Sequence, residues 1–118
     1  MDLSIEKNGE ATIIRIQTAR VIYPLLPTLV ARTREAVDSG ARSLVLDLGT
    51  VSYIDSATIG CFMDLYRQMS SAGGQLKLAG VQKRVETMLT MTGAQNFIDV
   101  HQDEVVALDS FGGKHAHD

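Results

Sequence analysis

The stretch LVLDLGTVSYIDSATIG, residues 44–60, decides the fold of this 118-residue chain. Residues 44–48 are apolar apart from Asp47, which is typical of a strand inside a sheet that a helix covers on at least one face. A short loop follows, and a helix then begins at Asp55 and Ser56. The stretch therefore predicts a strand, a loop and a helix whose first residues carry polar side chains.

The hydroxyl of Ser56 has two interpretations at this position. The first backbone N–H groups of a helix are unpaired and the helix dipole is positive there, so an oxygen or a phosphate is stabilised. Ser56 is therefore predicted to be either an ordinary N-cap or a phosphorylation switch.

Asp47 is the second polar feature of the stretch, because a carboxylate in an apolar strand is costly if it is buried. It either accepts hydrogen bonds from backbone N–H groups of the following loop or stands at the end of its strand. Functional sites of α/β folds form at such strand ends. Both interpretations stay open at this point.

The segments outside this stretch alternate between strand and helix patterns. Two alternating segments, 3–7 and 11–17, flank a turn and predict an antiparallel hairpin. The later segments predict helices ending at Gly40, at 71–74 and at Gly93, strands at 75–79 and 96–100, and a weak helix at 104–108. This order predicts one α/β domain with a mixed, mostly parallel sheet of four to five strands and an N-terminal hairpin. We expect the helices to pack mainly on one face of that sheet.

The composition excludes several classes of protein. A net charge of −3 argues against a domain that grips nucleic acid through its phosphates. Residues 1–7 lack a signal-peptide pattern, and no apolar run approaches the roughly 20 residues that a membrane span needs. With Cys61 as its one cysteine, the chain is expected in a reducing cytoplasm, without membrane insertion. Residues 1–111 are predicted to form the domain and 112–118 a flexible polar tail.

Motifs for catalysis or cofactor binding are missing from the sequence. It has no phosphate-binding loop, no dinucleotide-binding glycine pattern and no Gly-x-Ser-x-Gly elbow. A serine hydrolase would need one of three histidines in the last eighteen residues to reach Ser56. His115, His117 and Asp118 are metal-ligand types, but a solvated tail is favoured. We therefore predict no enzyme, no cofactor and no metal, and interpret Cys61 as a small core residue rather than a reactive thiol.

The strand with Asp47, the loop, the pair Asp55-Ser56 and then Gly60 resemble the STAS domain family. Its best-known members are bacterial anti-sigma factor antagonists. The similarity extends in element order over roughly residues 3–108, including 75–81 and 89–94. The resemblance implies a STAS-type fold in which Ser56 is phosphorylated by an anti-sigma factor with serine kinase activity. The unphosphorylated form would bind that partner and free the sigma factor; a homodimer stays open.

Two departures from the family pattern bear on this switch. The family usually continues Asp-Ser-Ser-Gly, whereas Ala57 and Thr58 follow Ser56 here. Thr58 replaces a glycine that would let the backbone of a partner come close. It also offers a second hydroxyl for phosphorylation. The family often carries an acid after the second strand, whereas residues 17–24 contain none and include Arg20. If that loop lies beside Ser56, Arg20 could pair with a phosphate, or the loop could serve another partner. The predicted partner-binding residues are Asp55, Ser56, Ala57, Thr58, Ile59, Asp47 and Arg20.

A second interpretation keeps the fold and changes the function. STAS-like domains also serve as fixed subunits of membrane transporters and lipid-trafficking assemblies, and some are thought to bind nucleotides or lipids. The altered loop at 17–24 and Thr58 favour this alternative more than they favour a phosphorylation switch.

Overall fold

Five strands form the central sheet of residues 1–112, the part of the chain that the computed structural model describes. In chain order the elements are β1 (Leu3–Asn8), β2 (Ala11–Ile16), β3 (Arg20–Val21), α1 (Leu26–Asp38), β4 (Ser43–Asp47), β5 (Tyr53–Ile54), α2 (Ser56–Ser71), β6 (Gln75–Ala79), α3 (Lys83–Thr92), β7 (Asp99–His101) and α4 (Glu104–Gly112). The sheet has the order β1-β2-β4-β6-β7. Its β1–β2 pair is antiparallel and its other pairs are parallel. The predicted mixed sheet with an N-terminal hairpin is confirmed.

The two faces of the sheet are covered unequally, as alternation along β4 shows. Leu44 and Leu46 belong to the larger core, which contains buried residues of α1, α2 and α3. Val45 points to the other face, where it forms a smaller cluster with Ala107 and Phe111 of α4. Three helices thus pack on one face and one on the other, as expected from the sequence.

The start of β6 needs a glycine because two backbones approach closely there. Gln75 N–H donates a 2.8 Å hydrogen bond to the Arg42 carbonyl just before β4. A Cβ at Gly74 would collide with the backbone of Arg42. Gly74 therefore lets α2 turn directly into the strand beside β4.

The structure differs from the sequence-based prediction in three short segments. Residues 20–21 and 53–54, expected in loops, pair in parallel as β3 and β5. Two-residue strands have no periodicity that a sequence can reveal. The last strand is Asp99–His101 rather than 96–100, because residues 94–96 form a 3₁₀ turn. Helix α4 continues from 104 past 108 to Gly112, since Phe111 is buried against the sheet.

The predicted tail begins at residue 112, which is the last residue of α4. The rest of that segment, including His115, His117 and Asp118, lies outside the described residues. The division into a domain and a flexible tail stays a prediction.

Candidate functional site

Asp55, rather than Ser56, caps helix α2. Its backbone is extended, and its Oδ1 accepts a hydrogen bond of 2.9 Å from the Thr58 N–H. Its Oδ2 accepts a second bond of 2.9 Å from the Tyr23 N–H. Burial raises the pKa of Asp55, but the hydrogen bonds from Thr58 and Tyr23 outweigh it and hold the pKa below its usual value. The carboxylate is therefore an ionised cap that also joins α2 to the segment before α1.

Ser56 is the first residue of α2, and its side chain is exposed. Its hydroxyl makes no side-chain hydrogen bond within residues 1–112. The N-cap interpretation of Ser56 is therefore wrong, because the neighbouring Asp55 supplies the cap. The hydroxyl is left accessible at the positive end of a 16-residue helix, where added negative charge is stabilised.

Thr58 is turned inward, with 0% of its surface exposed. Its Oγ1 lies 2.8 Å from the Val21 carbonyl oxygen and 2.6 Å from Asp55 Oδ1. The side chain therefore does not face a partner, contrary to the expectation from the sequence. Phosphorylation of this hydroxyl would require the first turn of α2 to open.

The loop before α1 borders the start of α2, because the Tyr23 N–H donates to the carboxylate of Asp55, the residue before Ser56. Strands β3 and β5 align Arg20 with Tyr53, and the N–H groups of Ser52 and Tyr53 donate to the Ala19 carbonyl at 2.8 and 3.2 Å. The guanidinium of Arg20 lies 4.6 Å from the centre of the Tyr53 ring, within cation–π range. Arg20 thus stands exposed on the segment that borders the helix start.

A groove of about 560 Å³ runs between α1 and α2 from this helix start. Its walls include Ala57 and Gly60 from α2, and Tyr23, Pro27 and Val30 from the opposite side. Tyr23 is 69% exposed, although it is a large aromatic residue. Small residues on one wall and apolar residues on the other make this a surface on which a protein partner could pack closely.

Two other residues near the helix start face the core. Ile59 is 6% exposed and belongs to the main apolar cluster. Burial, and then the nearby Asp64 carboxylate, raise the pKa of Cys61 to about 11. The thiol is therefore protonated at neutral pH, which fits the interpretation of Cys61 as a small core residue.

Asp47 is the last residue of β4 and lies near Glu104 and Arg15, away from the charged residues at the start of α2. Its Oδ1 accepts a 2.7 Å hydrogen bond from the Gly49 N–H, as one interpretation from the sequence expected. Burial and hydrogen bonding to Glu104 raise its pKa to about 6. Arg15 donates to both oxygens of Glu104, at 2.7 and 2.9 Å, and to Glu6 at 2.6 Å. These bonds to Arg15 lower the pKa of Glu104 to about 2.

The candidate site therefore contains only some of the predicted residues. Asp55, Ser56 and Ala57 lie at the start of α2 and Arg20 lies opposite Tyr53 on the neighbouring strand β3, whereas Thr58 and Ile59 are buried. Asp47 points to the sheet face that α4 covers, and no hydrogen bond among residues 1–112 joins it to Asp55 or Ser56. Val21, Tyr23 and Tyr53 also border this site but were not predicted from the sequence. Tyr23 could have been singled out from the sequence, because an aromatic residue stands there between Ile22 and Pro24 in an otherwise apolar segment. The positions of Val21 and Tyr53 depend on the pairing of β3 with β5, which the sequence does not reveal.

Three other features were considered from the sequence: a catalytic histidine, a metal site and a membrane span. His101 is on β7, where its Nε2 lies 3.4 Å from the Ser110 hydroxyl, and burial lowers its pKa. Within residues 1–112, no three His, Cys, Asp or Glu side chains are placed so that they could hold a metal ion. In the same range, none of the helices has the length and apolar character of a membrane span.

The STAS domain family matches residues 2–107, so this chain belongs to that family. The chain is 31% identical to the anti-sigma-B factor antagonist of Bacillus subtilis strain 168 over 74 residues, which is 63% of this chain and 67% of that protein. These matches confirm the resemblance seen in residues 44–60.

Three structural comparisons extend this result to the fold. The chain resembles the anti-sigma factor antagonist SpoIIAA in its unphosphorylated form, with a TM-score of 0.80 and 18% identity over 95% of this chain and 97% of that one. The phosphorylated form of SpoIIAA from Bacillus gives 0.71 and 17%, over 93% and 99%. The murine anion transporter Slc26a9 gives 0.68 and 16%, over 87% of this chain and 18% of that chain. The STAS-type fold is thus shared by proteins of quite different size.

Proposed function

We propose that this chain is an anti-sigma factor antagonist whose activity is switched by phosphorylation of Ser56. The observation that carries the proposal is the exposed hydroxyl of Ser56, which makes no side-chain hydrogen bond within residues 1–112 and follows a cap supplied by Asp55. A kinase can reach this hydroxyl without breaking the helix start. The relative from Bacillus subtilis, named as an anti-sigma-B factor antagonist, supports the same role.

The physical effect of a phosphate fits a switch at an interface. A phosphoserine carries about −1.5 to −2 charges and three acceptor oxygens. At the first residue of α2 the helix dipole favours that charge, so the domain stays folded. A partner packed on Ala57 and Gly60 would meet a bulky, hydrated dianion and would be released. SpoIIAA, of similar fold, occurs in both unphosphorylated and phosphorylated forms.

The partner in this proposal is an anti-sigma factor that is also a serine kinase, and its site of action would be the cytoplasm. Incubation with the cognate kinase and ATP should add one phosphate, detected by mass spectrometry, and Ser56→Ala should abolish the addition. Ser70→Ala is a matched control, because Ser70 is exposed at the other end of the same helix. Phosphate that persists in Ser56→Ala would refute the assignment.

The groove between α1 and α2 offers a separate test of the binding surface. A Cβ at Gly60 would meet open space, so Gly60→Leu should block the groove while leaving the helix intact. We expect this variant to lower affinity for the anti-sigma factor at least tenfold, as for a central interface position. Thr87→Leu places the same side chain at an exposed position of α3 and should leave affinity unchanged. Equal affinities for both variants would place the partner on another surface.

A second candidate function is a fixed STAS subunit of a larger assembly, without a phosphorylation switch. The fold similarity to part of the Slc26a9 anion transporter favours it, together with a loop at 17–24 that carries Arg20 instead of an acid. Under this alternative the purified chain would not accept phosphate from any kinase encoded beside it, and Ser56→Asp would leave its interactions unchanged.

A further inference from the structure

The loop at 19–23 and the start of α2 are joined by a short chain of hydrogen bonds. Asp55 Oδ2 accepts from the Tyr23 N–H, and the Thr58 hydroxyl lies 2.8 Å from the Val21 carbonyl oxygen. Just before β3, the Ala19 carbonyl accepts hydrogen bonds from the N–H groups of Ser52 and Tyr53. The segment that carries Arg20 and Tyr23 is thus fixed relative to Ser56 by a few specific bonds.

The Thr58 hydroxyl has one proton and two acceptors in this arrangement. The Val21 carbonyl oxygen and Asp55 Oδ1 lie at 2.8 and 2.6 Å, and both groups only accept, since the Asp55 carboxylate is ionised. The proton is therefore shared or goes to one acceptor at the expense of the other. Because Thr58 is fully buried, water does not replace the weaker bond.

We propose that Thr58 is a positioning residue that transmits the charge at Ser56 to the loop at 19–23. The proposal rests on the proposed phosphorylation of Ser56 and specifies its consequence. A phosphate beside Asp55 adds negative potential on the Asp55 side of the hydroxyl, which draws the Thr58 proton away from Val21. The Val21 carbonyl loses its donor, so β3 loses this bond to α2 and its pairing with β5 loosens in turn. Arg20 and Tyr23 then change position at the partner surface.

The experiment uses the protein alone, with phosphoserine inserted at position 56 during translation. The carbonyl ¹³C chemical shift of Val21 reports its hydrogen bond, and amide hydrogen exchange of Ser52 and Tyr53 reports the docking of the loop through Ala19. In the wild type, phosphoserine should move the Val21 shift and speed the exchange of both amides by roughly tenfold, the effect of losing one hydrogen bond.

Two substitutions of Thr58 separate its hydroxyl from its shape. Thr58→Val keeps the shape but not the hydroxyl, so it should show the altered shift and faster exchange without phosphate, and phosphoserine should add less than about twofold. Thr58→Ser keeps the hydroxyl and should respond to phosphoserine as the wild type does. Thr33→Val is the matched control, because the Thr33 hydroxyl is buried without a hydrogen-bond partner in the described chain. It should leave the Val21 shift and both exchange rates unchanged.

Two results would overturn the proposal: no response of the wild type to phosphoserine, or an undiminished response in Thr58→Val. Neither result bears on whether a kinase modifies Ser56, because the phosphoserine is inserted during translation. Failure of this coupling is therefore distinguishable from failure of the proposed function.

Discussion

Asp47 and Asp55 stand at the two ends of one loop, and the fold gives them opposite properties. Asp55 receives backbone N–H donors from two elements, so it stays ionised below its ordinary pKa. Asp47 receives one backbone donor and is half-buried beside Glu104, so its pKa rises to about 6. The difference shows that the number of donors and the sign of the neighbouring charge, rather than the residue type, decide the role of a strand-end carboxylate.

The largest expected effect on stability is that of Asp55→Ala, which tests the end of the loop where two backbone N–H groups donate to one carboxylate. The variant loses the α2 cap and leaves the Tyr23 N–H without its acceptor, so we expect the free energy of unfolding to fall by about 2 kcal/mol. Urea denaturation measures the change. Asp103→Ala is the matched control, because Asp103 accepts one backbone bond at the start of α4 and should cost about 1 kcal/mol. Equal losses would mean that the bond to Tyr23 contributes nothing.

Asp47→Asn tests the other end of the loop and should have a smaller effect of opposite sign at neutral pH. The folded protein favours protonated Asp47, so its contribution to stability is complete below pH 4 and is lost as the pH rises through about 6. An Asn amide can still donate to Glu104 and accept from the Gly49 N–H. We therefore expect Asp47→Asn to be more stable than the wild type at pH 7 by about 1 kcal/mol, and equally stable at pH 4.

Thermal or urea denaturation between roughly pH 2 and pH 7.5 would measure this difference and would also cover the range in which Asp55 is protonated. Asp55→Asn should show the opposite dependence, because the ionised form of Asp55 stabilises the fold and that contribution disappears as the pH falls below 4. The comparison between the two carboxylates would fail if both variants changed stability in the same pH range.

The smallest expected effect is a shift in the pKa of Asp47 on Glu104→Gln, which tests why that pKa is raised. Burial remains but the neighbouring negative charge is removed, so the pKa of Asp47 should fall below 6 and stay above its ordinary value of 3.8. NMR titration of the Asp47 side-chain carboxyl carbon would follow it. Glu6→Gln removes the other carboxylate bound by Arg15 and should leave the Asp47 titration unchanged.

The order of strands and helices could be predicted from the sequence because each long element has a clear periodicity. Residues 44–48, the hairpin before them and the three helices of the larger core follow directly from apolar spacing. The short pair β3 and β5 could not be predicted, since two residues define no period and their pairing joins segments 33 residues apart in register. The same long-range pairing places Arg20 beside Tyr53. The loop at 17–24, whose position the sequence left open, thereby borders the candidate site.

The sequence by itself determined the STAS-type order of elements and the position of Ser56 at a helix start, because both follow from local pattern and capping chemistry. Only the tertiary structure decided that Asp55 is the cap, that Thr58 is buried under the loop and that Asp47 belongs with Arg15 and Glu104. These roles depend on which groups meet across the sheet and between helix and loop. Sequence spacing does not contain those distances.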